Sequence, residues 1–492
     1  MGLFKILKKN SKIFPNKTAL VIENIEYSYK SLYNLVLQSI QNFSEANFSK
    51  NSKVIIVEGN SLSSILSLFA LSYLNSTVIP VGKYYSKYHL LDIIKVMGIN
   101  SVIAGKNVCI FLNEKTSIKN YVCTENSIKF KFFYKKNKFI KPNKKIDINK
   151  NYIITMSSGS TTKPKPIVFS QKTKIIRYEL FRDLYKINSE DNIIVTGPID
   201  HSLGMRTLFA PLLTGSTCVV MSTFQVEKYF ELIKKYKITF SVLVANQIYE
   251  LTKSKKNFED FYLKKGLVST SAKLLPAIKE KFVKKKINLY EMYGATEIGT
   301  ITNINVLKEK KFLSSVGRSY DGSIKIKILS KDNKFLEHNS VGEIVCKTPG
   351  KFKNYYNSKK LNNESFFKGY FKTGDLGFIN KQKYLYYKSR IKNTIRRNGI
   401  TIFPEDIEKV FINNKNISDV AVVAKDIANK TVLFLFIIKS KNITEHYIKN
   451  ICLKKLSEFQ FPNKIYFLQK FPKTKIGKID KIKLLRNFRQ FF

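Results

Sequence analysis

Between the β-branched run YIIT and the apolar run IVFS the sequence places Ser157, Ser158, Gly159, Ser160, Thr161, Thr162, Lys163 and Lys165. Hydroxyl donors, flexible backbone and two ammonium groups in so short a span are the equipment of an anion-binding loop. A polyphosphate is the anion that would use all of them. The pattern is not the Walker loop G-x-x-x-x-G-K-[ST], because no lysine follows a second glycine. A solvated surface loop accounts for the same residues equally well from this segment alone.

Such a loop needs a rigid frame, and the surrounding sequence has the rhythm of one. NSKVIIVEG reads as strand, SLSSILSLFALSYL as helix and STVIPV as the next strand. The same alternation runs through DNIIVTGP, the helical MRTLFAPLLTG, STCVVM, the helical VEKYFELIKKY and ITFSVLVAN. This predicts an α/β protein with largely parallel strands. From about Lys311 the texture changes to short alternating strands, GSIKIKIL, GEIVCKTPG and KQKYLYYKSR, which predict a smaller antiparallel unit. A last segment with its own helices and strands begins near Ile391, so domains over residues 1–390 and 391–492 are expected.

Composition narrows the partners. The chain has 492 residues, enough for a large core and more than one domain. Its longest apolar runs, such as TVLFLFII, are far shorter than the roughly 20 residues of a bilayer crossing, so no membrane span is expected. MGLFKILKKNSK lacks an export h-region with a cleavage site, and Ile6 breaks the myristoylation pattern. Cys109, Cys123, Cys218, Cys346 and Cys452 are scattered without metal or disulfide spacing, which favours a cytoplasmic protein. A formal charge of +50 would suit nucleic acid or an anionic surface. The lysines, however, are spread along the whole chain beside abundant Asn and Ile, all from A/T-rich codons, so no specific nucleic-acid partner is expected. The densest stretch, KFKFFYKKNKFIKPNKK, sits where a linker would also be natural.

Five segments in order carry a resemblance. MSSGSTTKPKPIVFSQ, YEMYGATEIG (290–299), GYFKTGDLGFI (369–379), KSRIKNTIRRNGITIFPEDIE (388–408) and FPKTKIGKIDK (471–481) resemble the signature motifs of the adenylate-forming superfamily. That superfamily contains acyl- and aryl-CoA synthetases, luciferases and the adenylation domains of peptide synthetases. KTALVIENIEYSYKSLYNLV is similar to its opening strands and helix, so the likeness covers nearly the whole chain. The resemblance implies a large N-terminal domain of stacked, mostly parallel α/β subdomains with a small β-barrel-like subdomain. A small, mobile α+β carboxy-terminal domain would follow.

The implied activity is an ATP-dependent carboxylic acid:thiol ligase. It would form an acyl-AMP and then a thioester with CoA or a carrier-protein phosphopantetheine, using ATP and Mg²⁺. A carboxylate must meet the α-phosphorus while pyrophosphate is neutralised. By resemblance Ser158, Gly159, Ser160, Thr161, Thr162 and Lys165 would serve the β- and γ-phosphates. Tyr293, with Ser271 and Ala272 of STSAKLL, would line adenine, Ser271 standing where glycine is commoner. Thr296 would lie near the phosphate and the substrate carboxylate, and Glu297 would hold Mg²⁺. Asp375 would accept from the ribose hydroxyls and Arg390 would contact the same ribose. Lys392 falls at the hinge, Gly399 on the thiol path, and Lys478 resembles the mobile lysine that bridges the attacking carboxylate and the α-phosphate. Taken alone, YGATE reads as an ordinary strand-to-helix turn, Asp375 as a turn residue and Lys478 as part of a charged tail.

Thr162 and Pro166 replace glycines of the family loop, which makes it stiffer. In GPIDHSLG, Pro198, His201 and Gly204 fit the P-x-x-H-x-x-G run that places a histidine at the acyl pocket, where Asp200 also falls. Asp200 and Ser202 resemble equally the aspartate segment of amino-acid-activating domains, so an amino-acid substrate loaded onto a carrier protein is the alternative. A second alternative is a non-catalytic nucleotide-binding relative.

Overall fold

The computed structural model describes residues 1–82, 85–125, 129–131, 146–156, 165–254, 258, 261–397, 400–412, 414–427, 430–473 and 479–487. Two eight-stranded sheets form its bulk. In the first, strands Thr18–Ile22, Thr217–Val220, Asn192–Val195, Phe240–Val244, Gly266–Thr270 and Leu289–Ala295 run parallel side by side. Ile25–Ser28 and Gly299–Asn305 add antiparallel edges. In the second, Asn151–Met156, Thr77–Val81, Lys53–Val57, Ser101–Gly105 and Asn120–Glu125 run parallel, and Pro166–Ser170 turns back on Asn151–Met156.

Strand periodicity explains how the sheets stack. Successive side chains point to opposite faces. Leu20, Ile22, Ile193 and Val195 of the first sheet therefore join Val54 and Ile56 of the second in one inner core. Val21, Ile194 and Val219 face an outer core, and Ile55 and Val57 face another. Helices Leu3–Ile13, Tyr29–Glu45, Leu62–Tyr73, Gln171–Tyr185 and Ser202–Thr214 contribute to the inner core. Helix Leu62–Tyr73 is buried around nearly its whole circumference, which explains why its sequence is apolar and serine-rich with hardly a polar face. Serine caps recur: Ser28, Ser61, Ser86 and Ser170 each accept from the backbone N–H three residues on.

Helix Leu3–Ile13 is absent from the sequence reading. Leu3, Phe4, Leu7, Asn10 and Ser11 are buried, and lysines at 5, 8, 9 and 12 interrupt the pattern. The antiparallel unit is as expected: Lys325–Leu329, Gly342–Lys347, Tyr370–Ile379, Phe366–Phe367 and Leu385–Arg390 form one sheet. Beyond it lie the pair Ile395–Arg397 and Ile400–Ile402 and a three-stranded sheet, Ile417–Ile427, Lys430–Lys439 and Lys464–Leu468. That last sheet has a separate core from Ile395 onward. Among the described residues no helix is long and apolar enough to cross a membrane.

Candidate active site

Open α/β sheets bind ligands beyond the carboxyl ends of their parallel strands. Three parallel strands of the first sheet deliver candidate residues there: Asn192–Val195 leads to Asp200 and His201, and, on the far side of Phe240–Val244, Gly266–Thr270 leads to Ser271 and Ala272 and its neighbour Leu289–Ala295 to Thr296 and Glu297. The YGATE segment ends strand Leu289–Ala295 and enters a hairpin turn to Gly299–Asn305, so the strand-to-helix turn that it resembles in isolation is not what forms. Gly294 makes the hairpin possible, since a Cβ there would stand 1.9 Å from the Gly299 carbonyl oxygen.

The opposite wall comes from the antiparallel sheet. Asp375 and Arg390 are register partners on adjacent strands. Arg390 Nε lies 2.7 Å from Asp375 Oδ1, and the Tyr293 phenol donates to Oδ2 at 2.6 Å. Burial, then the Asp375 carboxylate, raises the Tyr293 pKa well above its usual value, so the phenol stays a donor. Asp375 is 2% exposed. A carboxylate fixed by such donors is the kind of acceptor that a pair of hydroxyls would use.

Glu297 is fixed at both ends. Its carbonyl accepts from Arg177 Nη2 at 2.8 Å and from the Phe352 amide, and its Oε1 accepts from the Tyr355 phenol at 2.8 Å. The Lys165 ammonium sits 5.5 Å from the centroid of the same Tyr355 ring. Burial, then Glu297, raises the Tyr355 pKa. Arg177 straps the turn from behind, donating also to the carbonyls of Thr296 at 2.9 Å and Gly350 at 2.6 Å. Burial, followed by the neighbouring Arg206, lowers its pKa to about 9, which leaves it charged at neutral pH.

Ser271 adopts φ +72°, the left-handed region that glycine occupies without strain. The loop after it is anchored by buried Glu291, which accepts from the Leu274 amide at 2.6 Å and pairs with buried Lys279. Beyond strand Asn192–Val195, His201 precedes helix Ser202–Thr214, with Nε2 3.9 Å from Asp200 Oδ2. Gly204 explains part of the P-x-x-H-x-x-G spacing, because a Cβ there would meet the Pro198 carbonyl oxygen at 2.1 Å. Asp200 lines a small cavity with Ile56, Pro80 and Ile199. A different cleft, behind Glu297, is lined by Arg177, Arg206, Ile298 and Thr300.

Residues 7–356 match the AMP-binding enzyme family, and residues 406–478 match the AMP-binding enzyme C-terminal domain. The chain belongs to the AMP-binding enzyme family. As an adenylate-forming enzyme it is 24% identical to the 2-succinylbenzoate–CoA ligase of Listeria innocua, over 97% of this chain and 98% of that one. The o-succinylbenzoate CoA synthetase of Bacillus subtilis, solved with its acyl-adenylate intermediate, superposes with a TM-score of 0.88 at 19% identity, covering 98% of each chain. ATP-bound MatB from Rhodopseudomonas palustris superposes with a TM-score of 0.90 at 18% identity over the whole of both chains.

In this AMP-binding enzyme, Tyr293, Glu297, Asp375, Arg390 and Lys165 stand in one continuous network, through Tyr355 and the hairpin. Lys392 is exposed on the single turn Ile391–Asn393, next to Arg390. Ser158, Gly159, Ser160, Thr161, Thr162, Gly399 and Lys478 lie outside the described residues. Sequence reasoning missed Tyr355, Arg177 and Arg206. Tyr355 belongs to no motif. Arg177 left a faint signal, a cation at helical spacing with Tyr178, Phe181 and Tyr185 on the buried side of helix Gln171–Tyr185.

Proposed function

We propose that this chain activates a carboxylic acid with ATP and transfers the acyl group to the thiol of CoA. The observation that carries the reading is the joining of Tyr293, Asp375 and Arg390 to Glu297 across two sheets. It makes one surface with an aromatic ring, a ribose-type acceptor and a free-edged carboxylate. Tyr293, Ser271 and Ala272 flank the base, and Asp375 with Arg390 binds the ribose. Thr296 and Lys165 meet the phosphates, together with Ser158, Gly159, Ser160, Thr161 and Thr162.

Glu297 fits Mg²⁺ as a single hard oxygen donor. Among the described residues no group of three His, Cys, Asp or Glu side chains could hold a metal alone. A cation that keeps waters and shares phosphate oxygens is what one carboxylate suits. When bound, it neutralises charge on the phosphates. Tyr355 keeps Oε1 of Glu297 oriented, and Arg177 keeps the turn from shifting.

In the first step an oxygen of the substrate carboxylate bonds to the α-phosphorus and the bond to pyrophosphate breaks. Lys478 stabilises the charge at that centre. In the second, the CoA sulfur bonds to the acyl carbon, AMP leaves and the thiol proton goes to solvent. His201 stands at the acyl side. Domains 1–390 and 391–492 meet at Lys392, about which the smaller one turns to bring Gly399 to the thiol path. Five buried cysteines, none of them bridged, support a reducing cytoplasm as its setting.

An acid without an amine is preferred to an amino acid, in keeping with the P-x-x-H-x-x-G run formed by Pro198, His201 and Gly204. The test is acid-dependent exchange of pyrophosphate into ATP, followed by thioester formation on adding CoA. Exchange with amino acids alone, or with no acid at all, would refute the reading.

A further inference from the structure

Lys279 is 0% exposed and Glu291 1%, yet the two form an ion pair in the interior. The Lys279 ammonium also donates to the carbonyls of Leu313 at 2.6 Å and Ser315 at 3.0 Å, which together with the carboxylate occupies its three N–H bonds. Oε1 of Glu291 accepts from the Leu274 amide at 2.6 Å. This buried pair therefore joins separate parts of the chain. Lys279 lies on helix Pro276–Lys284, Glu291 on strand Leu289–Ala295, and Leu274 in the loop that follows strand Gly266–Thr270. Leu313 and Ser315 lead into Val316 and Gly317, whose backbones bond to Leu385 at the start of the strand that ends at Arg390.

A methionine and a leucine would fill similar space without stripping water from two charges. Neither could hold a backbone amide, and an amide buried without an acceptor is costly. Residues 271–275 lie outside helix and strand, and among the described residues Glu291 is the one side chain that hydrogen-bonds their backbone. The loop opens on Ser271 at φ +72° and closes on Leu275 at the start of helix Pro276–Lys284. Side chains two apart on a strand share a face, so Glu291 reaches the loop from the side on which Tyr293 projects.

We propose that Glu291, held in place by Lys279, is a positioning residue for the base of the nucleotide. Through the Leu274 amide it fixes loop 271–275 relative to Tyr293, so that Ser271 and Ala272 are in place beside that ring before ATP arrives. Glu291 itself touches no substrate atom. Its contribution is a preformed slot, which relieves the nucleotide of ordering the loop as it binds. Through Ser315 and Leu385 the same clamp reaches the strand of Arg390, so the contacts to base and ribose share one buried anchor. This inference rests on the ligase reading above and assigns what shapes its base site.

Two double variants of the full-length protein separate the anchor from the charges. Lys279→Met with Glu291→Gln removes both charges and leaves an amide oxygen for Leu274, whereas Lys279→Met with Glu291→Leu leaves no acceptor. Both lose the donor to Leu313 and Ser315, so their difference isolates the Leu274 bond. The readout is the dissociation constant of AMP beside that of ribose 5-phosphate, which lacks the base. The glutamine variant should bind AMP within about threefold of wild type, and the leucine variant about 10- to 100-fold more weakly, with ribose 5-phosphate within about threefold in both. In wild type without nucleotide, hydrogen exchange over residues 271–275 should show a strongly protected amide. Equal AMP affinity in the two variants, a matched loss of ribose 5-phosphate, or a loop unprotected until AMP is added would overturn the proposal while leaving the ligase reading intact. Wild type that binds AMP no better than ribose 5-phosphate would count against both.

Discussion

The Tyr355 phenol donates to Oε1 of Glu297 at 2.8 Å, joining a strand residue outside every signature motif to the carboxylate of the hairpin turn. Removing the donor frees the carboxylate to rotate. Tyr355→Phe should therefore raise the Mg²⁺ concentration needed for half-maximal pyrophosphate exchange several-fold, while Glu297→Gln should abolish exchange with every acid. A Tyr355→Phe enzyme with an unshifted Mg²⁺ dependence would show that the hydrogen bond has no part in orienting Glu297.

Ser271 holds a backbone conformation at φ +72° that costs a residue with a Cβ about 1–2 kcal/mol. Glycine loses the strain but adds about 0.5–1 kcal/mol of unfolded-state entropy. Ser271→Gly should then be neutral or stabilising by up to about 1 kcal/mol, and Ser271→Val destabilising by about 1–2 kcal/mol. Thermal unfolding of the three proteins decides. Equal melting temperatures for glycine and valine variants would contradict the strained backbone.

Lys273 follows in the same loop, and burial, then Lys409, lowers its pKa from 10.5 to about 8. Between pH 8 and 10.5 the unfolded chain binds a proton there that the folded chain does not, so this group makes stability rise with pH across that window. Below pH 8 both states are charged and the burial penalty is fully felt. Lys273→Met should consequently be more stable than wild type by about 1–3 kcal/mol at pH 7, with the difference closing by pH 10.5. A gap independent of pH in denaturant titrations would rule out the buried ammonium as its source.

The two half-reactions should separate by residue. Lys478→Ala should lose adenylate formation but still convert supplied acyl-adenylate to thioester, and Gly399→Leu should do the opposite. Lys392→Pro should spare the first step and slow the second by stiffening the turn at the domain junction. Single-turnover measurements of each half provide the check. Equal loss of both halves in Lys478→Ala and Gly399→Leu, with the fold intact, would remove the two-pose mechanism.

The α/β rhythm was legible because strands such as Lys53–Val57 and helices such as Leu62–Tyr73 are set by local periodicity. The motif residues were legible because their chemistry is dense in sequence: Tyr293, Thr296 and Glu297 lie within five positions. What escaped depends on distant chain segments. Tyr355 meets Glu297 only because its strand joins Pro166–Ser170 at the sheet edge. Arg206 looks like a helix-surface residue until the hairpin and Tyr320 close over it. Helix Leu3–Ile13 was obscured by its lysines, and the hairpin after Glu297 by a close approach of two glycines that local propensity does not encode.

Strand Thr18–Ile22 is inserted beside Thr217–Val220, with Leu20 opposite Cys218. During synthesis that parallel neighbour emerges about 200 residues later, which at about 5–20 residues per second is a wait of roughly 10–40 s. For that interval Leu20, Val21 and Ile22 have only the short hairpin partner Ile25–Ser28, and a lone two-stranded hairpin is marginal in water. The nascent chain therefore carries an open apolar edge through nearly half its translation, and its yield is expected to depend on chaperone occupancy of the first thirty residues more than on the stability of the finished fold.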